Sequence, residues 1–338
     1  MSQPAAGAVP RPENRVGGTL AAIRDQLQSS GTLGPLIALI FLGVVFTLLS
    51  PRFLTGGNLS LVLQQVMEVG TLAVGECLII LVAGIDLANG LVMVFASVLM
   101  AKLAVGGTPV PIAVLAGFAL TTAFGVAAGM LVAFLRLPAF IVTLGFLSVA
   151  DAGAKLYTHE TSIVNLPQGL LFLGSSFTVG GVTIPVGPIV MLAVFAVAWY
   201  ALTQTAWGKH VYSIGDNAVA ARLTGVNINL RLISVYTLAG LIYGVAALLV
   251  LGRTNVGDPN AGATDNLDSI TAVVLGGVSL FGGRGSVIGA LIGALIVGIL
   301  RNGLTLVGVD ALYQTLATGI LVILAVVVDR LRARSAER

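Results

Sequence analysis

The stretch Val110-Pro-Ile-Ala-Val-Leu-Ala-Gly-Phe-Ala-Leu-Thr-Thr-Ala-Phe-Gly-Val-Ala-Ala-Gly-Met-Leu-Val-Ala-Phe-Leu135 runs for 26 residues without a charged side chain. As a helix it is about 39 Å long, more than the roughly 30 Å of a bilayer's hydrocarbon core. A helix apolar on every face belongs in lipid or in the centre of a large fold. The rest of the chain decides for lipid. Of 338 residues, 57% are hydrophobic and 9% charged, and the mean hydropathy is +1.03. Soluble domains carry roughly 25% charged residues, so a fold this apolar cannot cover its own surface with polar groups. A cytosolic globular enzyme, a secreted disulfide scaffold and a disordered chain are excluded. The lone Cys77 permits no disulfide within the chain and no cysteine-based metal site, and His159 and His210 lie far apart.

Working outward, comparable apolar segments fall near 33–50, 62–83, 87–105, 110–135, 138–157, 186–204, 230–251, 266–282, 286–304 and 311–328. These ten predict an all-α integral membrane protein with about ten transmembrane helices. Residues 1–32 read as a polar cytoplasmic tail without a signal-peptide pattern, 33–328 as the transmembrane domain, and 329–338 as a basic cytoplasmic tail. With both termini inside, 12 of the 17 Lys and Arg fall on cytoplasmic segments, as the positive-inside rule requires. Arg52, Lys102, Lys155, Arg253 and Arg301 fall on external segments and span ends. The basic pI of about 9.2 then reports orientation, and nucleic acid is not needed to explain it. Spans two to five and seven to ten are each four helices, offset by an odd number, which predicts an inverted internal repeat. An external loop, 158–185, alternates around Gly180-Gly181 and reads as a small β-hairpin. The four-residue spacings of Gly285, Gly289 and Gly293, and of Gly117, Thr121, Gly125 and Gly129, read as close helix packing.

Polar residues inside the spans mark candidate solute contacts. Gln64, Glu68, Thr71 and Gly75 fall on one narrow face of span two, while Glu76 points elsewhere. An intramembrane carboxylate faces a bundle interior or a watery path, so Glu68 is the leading pathway candidate. Asn89, Asn302 and Gln314 could contact solute hydroxyls, or serve as packing glue. Asp86 is placed to cap the third span. Asp258, Asp265 and Asp268 lack the ligand spacing of a calcium loop and read as a solvated loop or docking surface. No metal site is predicted.

The cytoplasmic loop 205–229 contains Lys209-His-Val-Tyr-Ser-Ile-Gly-Asp-Asn-Ala-Val-Ala-Ala-Arg-Leu-Thr-Gly225. It reads as a short capped helix: Asp216 or Asn217 as N-cap, Ala218 to Thr224 as the body, Gly225 in the left-handed position that ends it. The body, about 10 Å long, is too short to cross a membrane. Ala218, Ala221 and Leu223, edged by Arg222, offer a contact surface to a soluble partner; lying in the membrane interface is the alternative.

Four stretches together resemble the permease subunit of ribose-type sugar ATP-binding-cassette importers. They are Gly84-Ile-Asp-Leu with Gly90; Pro138-Ala-Phe-Ile-Val-Thr-Leu-Gly145; Val211-Tyr-Ser-Ile-Gly-Asp-Asn with Ala220-Ala-Arg-Leu-Thr-Gly-Val226; and Ala272-Val-Val-Leu-Gly-Gly-Val-Ser-Leu-Phe-Gly-Gly-Arg-Gly-Ser286. The likeness runs from about residue 34 to 330. It implies a type II importer fold, with two permease subunits around one path in the bacterial cytoplasmic membrane. It implies that 215–226, including Gly215, Asp216, Asn217, Ala221, Arg222, Thr224 and Gly225, is a coupling helix seated on a separate ATPase, and that an extracytoplasmic sugar-binding protein docks outside. The chain has no G-x4-GK[ST] phosphate loop, so no cofactor is expected on it; ATP and magnesium belong to the ATPase. A stand-alone ion-coupled carrier, with Glu68 as the coupling carboxylate, is the alternative. An integral-membrane transferase is disfavoured by the lack of a paired aspartate motif.

Overall fold

The computed structural model describes residues 32–336 apart from 180, 181 and 263. The tail expected over 1–32 lies outside the described residues except for Thr32. The described residues are mostly helical, the longer helices being α1 Leu33–Leu49, α2 Gly56–Leu81, α3 Asn89–Val105, α4 Val110–Phe134, α5 Ala139–Thr158, α6 Val186–Gln204, α7 Ala206–Leu223, α8 Ile228–Thr254, α9 Asp265–Leu275, α10 Val287–Leu306 and α11 Ala311–Ala336. Six of the described helices (α2, α4, α5, α6, α8 and α10) are long and apolar enough to cross a membrane, and α1, α3 and part of α11 are shorter apolar helices. This is a multi-pass membrane protein. Four of the helix starts carry side-chain caps: Thr55, Thr205, Asn227 and Ser286 each accept a backbone N–H from the first turn. The expected hairpin is present as β1 Ser176–Val179 and β2 Val182–Pro185, antiparallel with Val179 opposite Val182; the two glycines between them lie outside the described residues.

Three expectations are corrected. The segment 266–282 is not one helix. α9 has 11 residues, about 16 Å, and the chain continues through turns over 276–286. Gly277, Gly282, Gly283 and Gly285 there have positive φ, which an L side chain rarely adopts, so the helix stops. Second, the cytoplasmic loop is more helical than expected, because α7 begins at Ala206. Third, α11 continues to Ala336, so 329–336 extends a helix instead of forming a separate tail.

Contacts between helices follow an exchange rule. α2 packs on α10 as α8 packs on α4; α3 on α4 as α9 on α10; α3 on α5 as α9 on α11; α2 on α9 as α8 on α3. The pairs α2–α8 and α3–α9 map onto themselves. Swapping α2–α5 for α8–α11 therefore preserves these contacts, as a duplicated four-helix unit requires.

Glycines make the closest of these contacts, in agreement with the small-residue stripes. A Cβ on Gly125 would strike the Tyr236 carbonyl, and one on Gly293 the Ala272 carbonyl. Backbone cannot yield as a side-chain end can. Substituting Gly125 or Gly293 with Val should cost about 1–3 kcal/mol and lower the thermal midpoint in detergent. Gly145→Ala, on α5 with nothing within 4 Å, should leave the midpoint unchanged or raise it slightly.

Candidate functional site

Two polar features stand out, at opposite ends of the bundle. The first lies where α8 and α10 end and α11 begins. A cavity of about 220 Å³ is lined by Gln65, Glu68, Arg253, Asp265, Arg301 and Gln314, among others. Glu68 is buried at the centre of α2. It accepts from Arg253 Nε at 2.9 Å and from Arg253 Nη2 at 2.5 Å, which joins α2 to α8. Arg301 pairs with Asp268 at 2.5 Å, joining α10 to α9. Asp268 is fully buried, and Asn266 and Ser269 beside it are buried too. The expectation of a solvated loop or docking surface is corrected for Asp268, which is buried in the first turn of α9. Gln314 donates to Thr305 Oγ1 at 3.1 Å and to the Val309 carbonyl at 2.9 Å.

The cavity thus presents guanidinium donors, carboxylate acceptors and amides in near balance of charge. Such walls suit a neutral molecule rich in hydroxyls, since each hydroxyl both donates and accepts.

Of the pathway candidates, Glu68 and Gln314 meet in this cavity. Gln64 does not line it; it is half-buried and donates to Ser60 Oγ at 3.4 Å, and Gln65 takes the lining position. Asn302 pairs with Asn58 through two amide hydrogen bonds of 2.9 and 3.0 Å, tying α10 to the start of α2. Asn89 lies elsewhere, bonded to Glu76 and Ser269 at 2.9 Å each. Asp86 serves α3 more obliquely than expected: the N-cap is Ala88, whose N–H Asp86 Oδ1 accepts at 2.8 Å, and Tyr243 donates to Oδ2 at 3.0 Å. Sequence reasoning missed Arg253 and Arg301 as site residues because it counted them only for orientation. Each is a lone charge within the last turns of an apolar segment, a position that asks for a buried partner.

The second feature is the α7 end. Asn217 breaks α7, with φ −155 and ψ 98, and its Oδ1 accepts the N–H groups of Val219 and Ala220 at 3.0 Å. Of the two N-cap candidates, Asn217 therefore caps the short second helix. Gly225, at φ 89, closes it, donating to the Arg222 carbonyl at 3.0 Å, while Val226 N–H returns to Ala221 O at 3.1 Å. Asp216, Asn217, Arg222 and Thr224 are exposed. So are Val219 and Leu223, at 72% and 84%. Ala221 is corrected: it is buried against its own chain, because it lies on the helix face opposite Val219, and Val219 takes its place outside. Gly215 sits at the base of this element, where a Cβ would strike Leu81 O and Gly283 N. Gly283 N–H itself donates to Leu81 O at 3.0 Å. Tyr212 donates to Gly285 O at 3.0 Å, and burial pushes its phenol up to about 12, so it remains a neutral donor at physiological pH. The base of α7 is thereby fixed to the end of α2 and to the turns between α9 and α10.

Residues 58–326 match the family profile described as branched-chain amino acid transport system / permease component. Among curated proteins, a fructose import permease of Rhizobium meliloti is 41% identical, over 92% of this chain and 88% of the relative. A ribose import permease of Escherichia coli strain K12 is 39% identical, over 87% of this chain and 92% of its own length. The D-allose transport system permease of the same strain is 32% identical, over 88% and 91%.

Removing Arg253 alone would strand a buried carboxylate. Arg253→Ala should destabilise by about 2–3 kcal/mol, less than a fully buried pair because Arg253 is partly exposed. Glu68→Gln with Arg253→Ala should recover more than half of the lost thermal midpoint. Asn217→Ala removes a cap contributing about 1 kcal/mol; hydrogen exchange of the 218–223 amides should rise about five-fold.

Proposed function

The chain belongs to the permease-component family of branched-chain amino acid transport systems, and from that membership we propose that it is the transmembrane permease of an importer for a monosaccharide or related polyol. It is a transport subunit and not an enzyme. The observation that carries the sugar reading is likeness over nearly the whole chain to fructose, ribose and allose permeases. The balanced donor and acceptor walls of the Glu68 cavity support it. A separate ATPase hydrolyses ATP, and an extracytoplasmic binding protein delivers the sugar.

In this reading the ten apolar segments cross the bacterial cytoplasmic membrane with both termini cytoplasmic. The two four-helix units run in opposite directions as an inverted repeat of the type II importer fold. The turns at 276–286 complete the crossing that α9 begins, which is tolerated where such backbone is buried in protein. Two copies form a homodimer around the path. The exposed face of 216–225 seats on the ATPase, and the cavity of Glu68, Arg253, Arg301 and Gln314 is a waypoint of the solute.

The test is reconstitution of the chain with its ATPase and binding protein, followed by uptake of labelled fructose, ribose and allose. ATP-dependent uptake of a sugar is expected; uptake by the chain alone under an ion gradient would overturn the reading. Arg222→Glu, or Gly225→Pro, which cannot adopt the positive φ there, should lower uptake ten-fold or more while the subunit remains folded. Glu68→Gln should leave ATPase binding intact and slow sugar flux. Unchanged uptake would remove Glu68 from the path.

A further inference from the structure

Two apolar grooves adjoin on the outer flank of the bundle. The first is a cavity of about 370 Å³ between α6 and α8, floored by Leu78 of α2 and Phe118 of α4 and walled by Val197, Ala201 and Leu238 among others. Val197 is 69% exposed and Leu238 38%, so it opens to the surface. Its polar side-chain group, the Trp207 indole N–H, already donates to Ser234 Oγ at 2.8 Å. The second groove follows α4 from Leu115 to Met130 and shares Phe118 and Leu241 with the first. No charged side chain lines either one.

The dimensions match one leaflet of a bilayer. From Val190 to Ala201 on α6 the first groove extends about 16 Å, against about 15 Å for half a hydrocarbon core. On α8, Arg231, Leu238 and Val245 recur every seven residues and lie within about 40° of one another. Arg231 therefore stands on the face of the groove, two turns beyond Leu238. It is about 21 Å along the helix from Val245, roughly half the bilayer with its headgroup layers included. Trp207 and Ser234 lie between the apolar walls and Arg231, where amphipathic rings mark the edge of the hydrocarbon. The Arg231 side chain is half-buried, and its guanidinium has no hydrogen-bond or ion-pair partner among the described residues. Arg136 stands at the same end, just past α4, because α4 and α8 pack antiparallel: Gly240 meets Thr121, Gly125 meets Tyr236, and Gly129 meets Ile233. Arg136 too has no ion-pair partner among the described residues.

We propose that the two grooves hold one anionic diacyl phospholipid, with a tail in each and the phosphate at Arg231 and Arg136. Two adjoining apolar channels suit two tails that leave one headgroup. A guanidinium is a forked donor matched to phosphate oxygens. Two arginines without a paired carboxylate favour a headgroup of net negative charge over a zwitterionic one. The inference rests on the chain crossing a membrane and not on the solute it carries.

The test uses the full chain in phosphatidylcholine nanodiscs with and without phosphatidylglycerol. The thermal midpoint should rise by about 2–4 °C with phosphatidylglycerol. The rise should be lost in Arg231→Gln and in Ala193→Phe, which fills the first groove, and kept in Arg52→Gln, a basic residue elsewhere. A second measurement leaves the groove intact. In Trp199→Phe, Trp207 is the sole tryptophan, and brominated-tail phosphatidylglycerol should quench it about two-fold more than brominated-tail phosphatidylcholine at the same mole fraction. Equal quenching by the two lipids would overturn the proposal, as would a midpoint rise that persists in both groove variants. A midpoint that follows protein concentration and ignores the lipid would assign the grooves to a second copy, and would overturn it equally.

Discussion

Inside a bilayer no water is available to satisfy a polar group, and that constraint orders this structure more than any other. Each backbone N–H and C=O must be paired within the protein, and each buried carboxylate must be answered. The irregular segments obey it. Residues 82–88 leave the helical ladder, but Thr143 of α5 donates to Ile85 O and accepts from Leu87 N–H, both at 3.1 Å, and Asn266 of α9 donates to Leu87 O at 2.9 Å. The turns after α9 are held likewise, through Gly283 to Leu81 and Tyr212 to Gly285.

The same constraint explains the use of glycine. Lipid provides no hydrophobic drive between helices, so association depends on close packing. Several of the contacts that glycine permits fall where α4 meets α8 and where α9 meets α10. Gly125 and Gly240 bring α4 and α8 backbone to backbone, at Tyr236 and Thr121. Gly276, Gly289 and Gly293 do the same for α9 and α10.

Most of the helices were legible in the sequence because a run of 17 or more apolar residues has few alternatives in lipid. The short helix at the end of α7 was legible for a different reason: Asn217, the alanines and Gly225 carry local cap chemistry that tertiary contacts do not override. The failure at 266–282 is also physical. Hydropathy measures how apolar a segment is, and Gly276 to Ser286 is apolar enough; it does not register the positive φ at four glycines that ends the helix. The inward turn of Ala221 depends on which face of a short helix meets α2 and α8, and alanine is equally at home on both faces. The cavity was half legible. Glu68 announces itself as a carboxylate in a span, but its partner lies 185 residues away, a distance that local pattern cannot bridge. Nor could it say that Asn89 turns to Glu76 and Ser269 and away from the solute candidates.

The two polar features are mechanically continuous. α2 carries Glu68 in the cavity and ends at Leu81, whose carbonyl receives Gly283 and lies against Gly215. Thirteen residues of unbroken helix, about 20 Å, separate the two positions. α10 begins beside the same turns, at Ser286, and reaches the cavity with Arg301. α8 runs from Asn227, just past Gly225, to Arg253. Three helices thus connect the α7 end to the three residues of the cavity that bear charge on long helices, and two of those charges are bonded to each other. A displacement of α7 that shifted α2 relative to α8 would act on the Glu68–Arg253 pair, which joins the two helices through contacts of 2.5 and 2.9 Å. The walls of the cavity and the position of α7 are joined in this way through α2, α8 and α10. Linkage of this kind is reciprocal by necessity.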